Sequence, residues 1–349
     1  MNNEKKEKVI LPVKYPIITS YTADAHMLAI LNSYPSTEEW ILNNYINLWG
    51  EEPSRYNNFA MLRFHSWSIK KVCPYFKLNY FNESFFTSNI TEFIISKIDA
   101  GKYVTIFYDP YYIKCSMQYQ KTHGGHEMLI YGYDRNLRVF FIADFFQNYK
   151  YAFETEPFDC VENAIINMFE SKLFLCTEID FCKSDYKFSN YFLLNSLNNF
   201  LYSQNNVAEN ENVFFGEYES EPIKRGEYVF GIKNYSLLKE KLSKVTCNDT
   251  YYDFRSLHVV FDRKVMMCEL LKYLANTGVI HFNDSIIDDY SNIKNISRTN
   301  RNLFIKFTVT KDIKLIDKII DNINIMEALE VEAITYLIKK VSAKLNDAV

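Results

Sequence analysis

The residues best suited to chemistry sit in Gly125-His126-Glu127-Met128-Leu129-Ile130-Tyr131-Gly132-Tyr133-Asp134 and in the following Val139-Phe140-Phe141-Ile142-Ala143-Asp144. The pattern predicts two strands of a hairpin, the first opened by His126 and the second closed by Asp144. A carboxylate that fixes an imidazole tautomer, next to an imidazole that takes a proton, is the base half of a nucleophilic triad. Its nucleophile belongs in the first turn of an upstream helix, where unpaired N–H groups and the positive dipole end lower a thiol pKa and stabilise an oxyanion. Thr22-Ala23-Asp24-Ala25-His26-Met27-Leu28-Ala29-Ile30-Leu31 supplies that helix. Asp24 can cap it, and where the nucleophile is expected the sequence has Ala25, which can neither attack nor transfer a proton.

Taken singly, His126 is an ordinary strand-end histidine and Asp144 a turn residue; their placement on neighbouring strands favours a site. The polar stretch between Ile113 and Gly125 ends in His123-Gly124-Gly125-His126, a loop whose glycines permit close backbone approach. His123 and His126 as a metal pair lack a third donor in metal spacing, so no metal is expected. His26 reads as first-turn helix surface, and His65, His258 and His281 as structural. Cys73 precedes Pro74 and Cys115 lies in a polar loop, so both read as structural thiols. Met266-Met267-Cys268 reads as core. Lys306, Lys311, Lys314 and Lys318 are read first as a solvated face, with an acidic partner as the alternative.

The elements that must position these residues follow a simple order. Helices come first: one through Met27, Leu28 and Leu31, one from the capping box Ser36-Thr37-Glu38-Glu39 to a stop at Gly50, and one from Asn89 to Gly101. Strands then crowd over Tyr103–Asp109, Glu127–Asp134, Arg138–Asp144 and Tyr149–Phe153. After a helix over Cys160–Phe169 and an apolar run Leu173–Ile179, the pattern turns mainly helical, over Ser236–Ser243, Arg255–Leu274, Ser285–Ile296 and Asp312–Ala343. The expected domains are 1–183 and 184–349, with the boundary near Asp180–Tyr186 and an exposed acidic, Asn-rich loop at Asn205–Glu221. The fold class is α+β.

At 349 residues, two domains are the natural expectation. A 48% hydrophobic content with 23% charged residues is that of a globular chain, and a net charge of -4 gives no pull toward nucleic acid or anionic membrane. Aromatic residues reach 17%, which points to aromatic-lined pockets or to compositional bias. No signal peptide or membrane span is expected, which places the protein in the cytoplasm. The seven cysteines lack paired spacing and argue against a disulfide framework or zinc ribbon.

Helix first, then a strand carrying His126, then a strand ending in Asp144: this half resembles the papain-like fold, in the C39-like branch of cysteine peptidases. The nearer resemblance is to papain-like acyltransferases of the butirosin-biosynthesis H type, where a C39-like domain precedes a helical one. Asp253-Phe254-Arg255-Ser256-Leu257-His258-Val259-Val260-Phe261-Asp262 and Arg301-Asn302-Leu303-Phe304-Ile305-Lys306-Phe307 are similar to that second domain. A further resemblance is to the amide-forming enzymes of closthioamide assembly, which join acyl chains to a diamine. The resemblance implies a cysteine that takes an acyl group from a carrier-protein thioester and passes it to a small amine or diamine, without a cofactor. It assigns His126 as base, Asp144 as orienting acid and Ala25 as the cysteine position. Alanine there reads as a replaced cysteine or as a natural non-enzyme. The peptidase branch places an oxyanion-hole glutamine before the nucleophile; here that region holds Thr19 and Ser20. A C39-like peptidase or a catalytically silent binding protein is the alternative.

Overall fold

The computed structural model of the chain describes residues 6–51, 61–64, 69–86, 89–169, 175–204, 228–249, 253–278 and 285–346. Its first elements are β1 (Lys8–Ile10), α1 (Thr22–Leu31), α2 (Glu38–Asn44), β2 (Trp49–Glu51), β3 (Met61–Arg63), α3 (Ile69–Val72) and β4 (Phe76–Phe81). They continue with α4 (Ile90–Asp99), β5 (Tyr103–Tyr108), β6 (His126–Asp134), β7 (Val139–Gln147), β8 (Lys150–Pro157), α5 (Phe158–Ile166), β9 (Cys176–Phe181) and α6 (Asn190–Leu201). The last are β10 (Tyr228–Phe230), α7 (Asn234–Ser243), α8 (Arg255–Asn276), α9 (Ser285–Thr310) and α10 (Lys314–Asn346). The fold is α+β. Two compact units divide it: residues 1–37 with 70–185, and residues 38–69 with 186–349. The segment 38–69 thus packs with the helical C-terminal part.

In the first unit an antiparallel sheet runs β4-β9-β5-β6-β7-β8, and β1 pairs with the far end of β6. Strand alternation sends Val104, Ile106, Met128, Ile130, Phe140 and Ile142 to one face, where Ile94 and Ile98 of α4 and Val161 and Ile165 of α5 complete the core. Asn89 caps α4 by accepting from the Glu92 amide, and Gly101 ends that helix region in a left-handed conformation. α1 packs against β6 and β7, and its His26 bonds Tyr151, a residue of the opposite sheet face. The sheet therefore lies between α1 and the α4/α5 pair.

In the second unit a three-stranded antiparallel sheet, β10-β2-β3, accompanies the helices. The capping-box helix ends at Asn44 instead of running to Gly50, because Trp49-Gly50-Glu51 pairs as a strand. Gly50 serves close packing there: a Cβ would meet Asn234 Oδ1 at 2.3 Å and Leu62 and Leu237 at 2.8 Å. Met266, Met267 and Cys268 are buried core on α8. The heart of this unit is polar: Glu330 of α10 pairs with Arg263 and Lys264 of α8, all fully buried, and accepts from Tyr235 and Tyr290. Arg263 also donates to the Ile46 carbonyl and covers the Phe200 ring. His65, His281 and the Asn205–Glu221 segment lie outside the described residues.

Candidate active site

Three neighbouring strands deliver one polar cluster at the end of the core face. Tyr108 ends β5 and pairs across with His126, which begins β6. His126 lies two residues before Met128 and Asp144 two after Ile142, so alternation turns all three side chains to the same face. After Asp144 the β7/β8 pairing loses register, a bulge of the kind that re-aims a side chain.

Asp144 is buried, and its Oδ2 accepts from His126 Nδ1 at 2.6 Å and from the Tyr108 hydroxyl at 2.7 Å. Burial, and then the Asp144 charge, push the Tyr108 phenol well above its ordinary range, so it remains a donor. The Asp144 bond fixes His126 with its proton on Nδ1, leaving the Nε2 lone pair free to take another. Burial lowers the His126 pKa, but the Asp144 charge and hydrogen bond outweigh it and hold the imidazole above its usual value. With its side chain 41% exposed, His126 is reachable from solvent.

The Thr22 hydroxyl lies within reach of His126 Nε2, at 3.5 Å. The sequence reading places the nucleophile position at Ala25, which the family resemblance matches to the cysteine, and separately places the helix cap at Asp24. The observed cap is Tyr21, in extended conformation and without a side-chain capping bond, so the helix starts three residues earlier and Thr22 holds its first position. Ala25 stands one turn on: its amide already donates to the Tyr21 carbonyl at 2.9 Å, and its side chain is fully buried. The first amides of α1 have no intrahelical acceptor and are the natural anion donors of the site. Ser20, buried just before them, has an Oγ without a partner among the described residues, whereas Thr19 is half-buried.

His26 is a core residue, not helix surface. It has no exposed area, its Nε2 donates to the Glu127 carbonyl at 3.1 Å, and its Nδ1 therefore accepts from the Tyr151 hydroxyl at 2.8 Å. Burial lowers its pKa and keeps it neutral. The Glu127 carboxylate faces Lys70 at 3.3 Å; burial raises its pKa, but the Lys70 charge prevails and holds it low.

His123 bonds a different carboxylate, Asp109 Oδ2, at 2.6 Å. Gly125 packs against Met168, whereas a side chain on Gly124 would meet nothing. Cys73 is pushed up to about 12 by burial, and burial with the Glu156 charge raises Cys115, so neither is a ready nucleophile. His258 accepts from Arg301 in the second unit. Among the described residues no group of three or more His, Cys, Asp or Glu could hold a metal ion. Nor, among them, is any helix long and apolar enough to cross a membrane.

No family model matches the chain, and no curated protein matches it.

Proposed function

We propose that this chain is a papain-like, C39-like acyltransferase that forms amides through an acyl-enzyme on Thr22. The observation that carries the reading is the placement of His126, its Nδ1 on Asp144 and its Nε2 toward the Thr22 hydroxyl at the first position of α1. Hydroxyl nucleophiles need an adjacent base, and this is the base's required orientation. At 3.5 Å the hydroxyl must close by about 0.5 Å to reach hydrogen-bond range, as unliganded sites commonly must.

In acylation, Thr22 Oγ1 attacks the thioester carbonyl and passes its proton to His126 Nε2. The helix N–H groups stabilise the tetrahedral oxyanion, and the leaving thiolate takes the proton from His126. A neutral amine then attacks the ester, gives one proton to His126, and Thr22 leaves with that proton to complete the amide. The donor is an acyl carrier protein thioester and the acceptor a small amine or diamine, as the family resemblance implies; antibiotic biosynthesis is the expected setting. In this reading Ala25 is a buried neighbour of the nucleophile rather than its replacement.

The test is intact-protein mass spectrometry after exposure to a simple acyl thioester. An adduct localised to Thr22 and absent from Thr22→Ala supports the reading. An unmodified protein overturns it in favour of a silent binding protein, and rapid peptide cleavage without amide product favours the peptidase.

A further inference from the structure

The loop His123-Gly124-Gly125-His126 carries two histidines, each bound through Nδ1 to a buried carboxylate at 2.6 Å. The second pair is as constructed as the first. Asp109 follows Tyr108 directly and is buried, and its Oδ1 accepts from the Tyr111 amide at 3.0 Å and the Gly124 amide at 3.2 Å. Its Oδ2 is left for His123. The imidazole stacks on the Tyr111 ring, centroids 4.0 Å apart and planes 18° from parallel, with Tyr112 tilted beside it. This clamp fixes the tautomer with Nε2 as acceptor, while the side chain stays 63% exposed. A loop anchor needs only the amide contacts to Asp109; it does not need an oriented, stacked and solvent-facing base.

The two histidines are three positions apart, so their Cα atoms lie within about 11 Å of one another. An acceptor amine reaches the protein as an ammonium ion, which cannot attack an ester until it has lost a proton. We propose that His123, oriented by Asp109, is a second base that deprotonates the incoming acceptor ammonium. The inference rests on the acyl-enzyme reading of Thr22 and deepens it by dividing the protons between two imidazoles. His123 Nε2 takes one proton from the ammonium and later releases it to water. The neutral amine attacks the ester carbonyl, its second proton passes through His126 to Thr22 Oγ1, and the ester C–O bond breaks as the amide forms.

The experiment compares wild type with His123→Gln, each supplied with a simple acyl thioester and either 1,3-diaminopropane or hydroxylamine at neutral pH. Diaminopropane is protonated there, whereas hydroxylamine is mostly neutral. The expected result is that His123→Gln lowers amide formation with the diamine by about 100-fold, the usual scale of a general base, yet matches wild type in hydroxamate formation and in acylation of Thr22. Equal losses with both acceptors would reduce His123 to a structural role, and an undiminished diamine rate would remove the second base; either overturns the inference. Absence of a Thr22 adduct in both proteins instead overturns the acyl-enzyme reading, and the inference falls with it.

Discussion

Asp144 Oδ2 is shared: His126 and Tyr108 both donate to that one oxygen, at 2.6 and 2.7 Å, while Oδ1 has no partner among the described residues. Removing one donor differs in kind from removing the acceptor. Tyr108→Phe loses a bond to a charged group and should cost about 2 kcal/mol of stability. Because Asp144 then still holds His126, acylation should slow by no more than about tenfold. Asp144→Asn frees the imidazole to adopt the wrong tautomer and should slow acylation by about 10^4. Single-turnover mass spectrometry with urea unfolding of each variant measures both effects; similar rate losses would contradict this hierarchy.

His126 must be unprotonated to accept the Thr22 proton, and Asp144 holds its pKa above the usual value against the effect of burial. Acylation should therefore rise with pH along a limb displaced to the alkaline side of free imidazole, whose midpoint is about 6.5. In Asp144→Asn the charge is gone, and the limb should move acidward while the plateau drops. A limb that stays in place would show that another group governs the profile.

His26 provides a pH signature of stability rather than rate. Burial lowers its folded pKa, so below about 6.5 the unfolded chain binds a proton that the folded chain refuses. Its contribution is complete above that pH and is lost as the pH falls through the unfolded value toward the folded one. His26→Gln removes this dependence. Its destabilisation relative to wild type, read from urea midpoints, should be larger at about pH 7.5 than at about pH 5.5; a constant difference would mean that His26 does not carry the linkage.

In the second unit, Glu330 pairs with two cations from adjacent positions on α8. Burial disfavours its charge, but Arg263 and Lys264 hold it at about 2, while burial presses Lys264 down. Glu330→Gln strands both cations and should cost about 3–5 kcal/mol, whereas Lys264→Met leaves an Arg263–Glu330 pair and should cost less. Thermal unfolding of the two variants gives the order, and the reverse order would show that Lys264 is the essential partner.

The strands and the His126–Asp144 pair were legible because period-two alternation writes strand faces directly into sequence. The start of α1 was not. Asp24 has the chemistry of a cap, yet the observed cap is Tyr21, whose side chain makes no capping bond, so local propensity lost to tertiary placement. Gly50 was misread for a similar reason: it looks like a helix stop, but it is a strand residue set against Asn234, nearly two hundred positions on. The Arg263–Lys264–Glu330 cluster has no short-range signature, since its partners come from distant helices.

That three-residue slip gives the sharpest prediction. A cysteine at the first position of α1 has the positive helix end and His126 Nε2 beside it, both of which favour a thiolate. A cysteine at position 25 meets the opposite conditions: no exposed area, an amide already spent on Tyr21, and a packed core in which an added sulfur costs about 1–3 kcal/mol. Thr22→Cys should therefore acylate faster than wild type from the same thioester and be alkylated by iodoacetamide below the ordinary thiol range. Ala25→Cys should remain unmodified by both reagents in the native state. The comparison is read by intact mass with peptide mapping, since seven other cysteines are present. Selective acylation of Ala25→Cys with an inert Thr22→Cys would return the nucleophile position to Ala25 and overturn the assignment of Thr22.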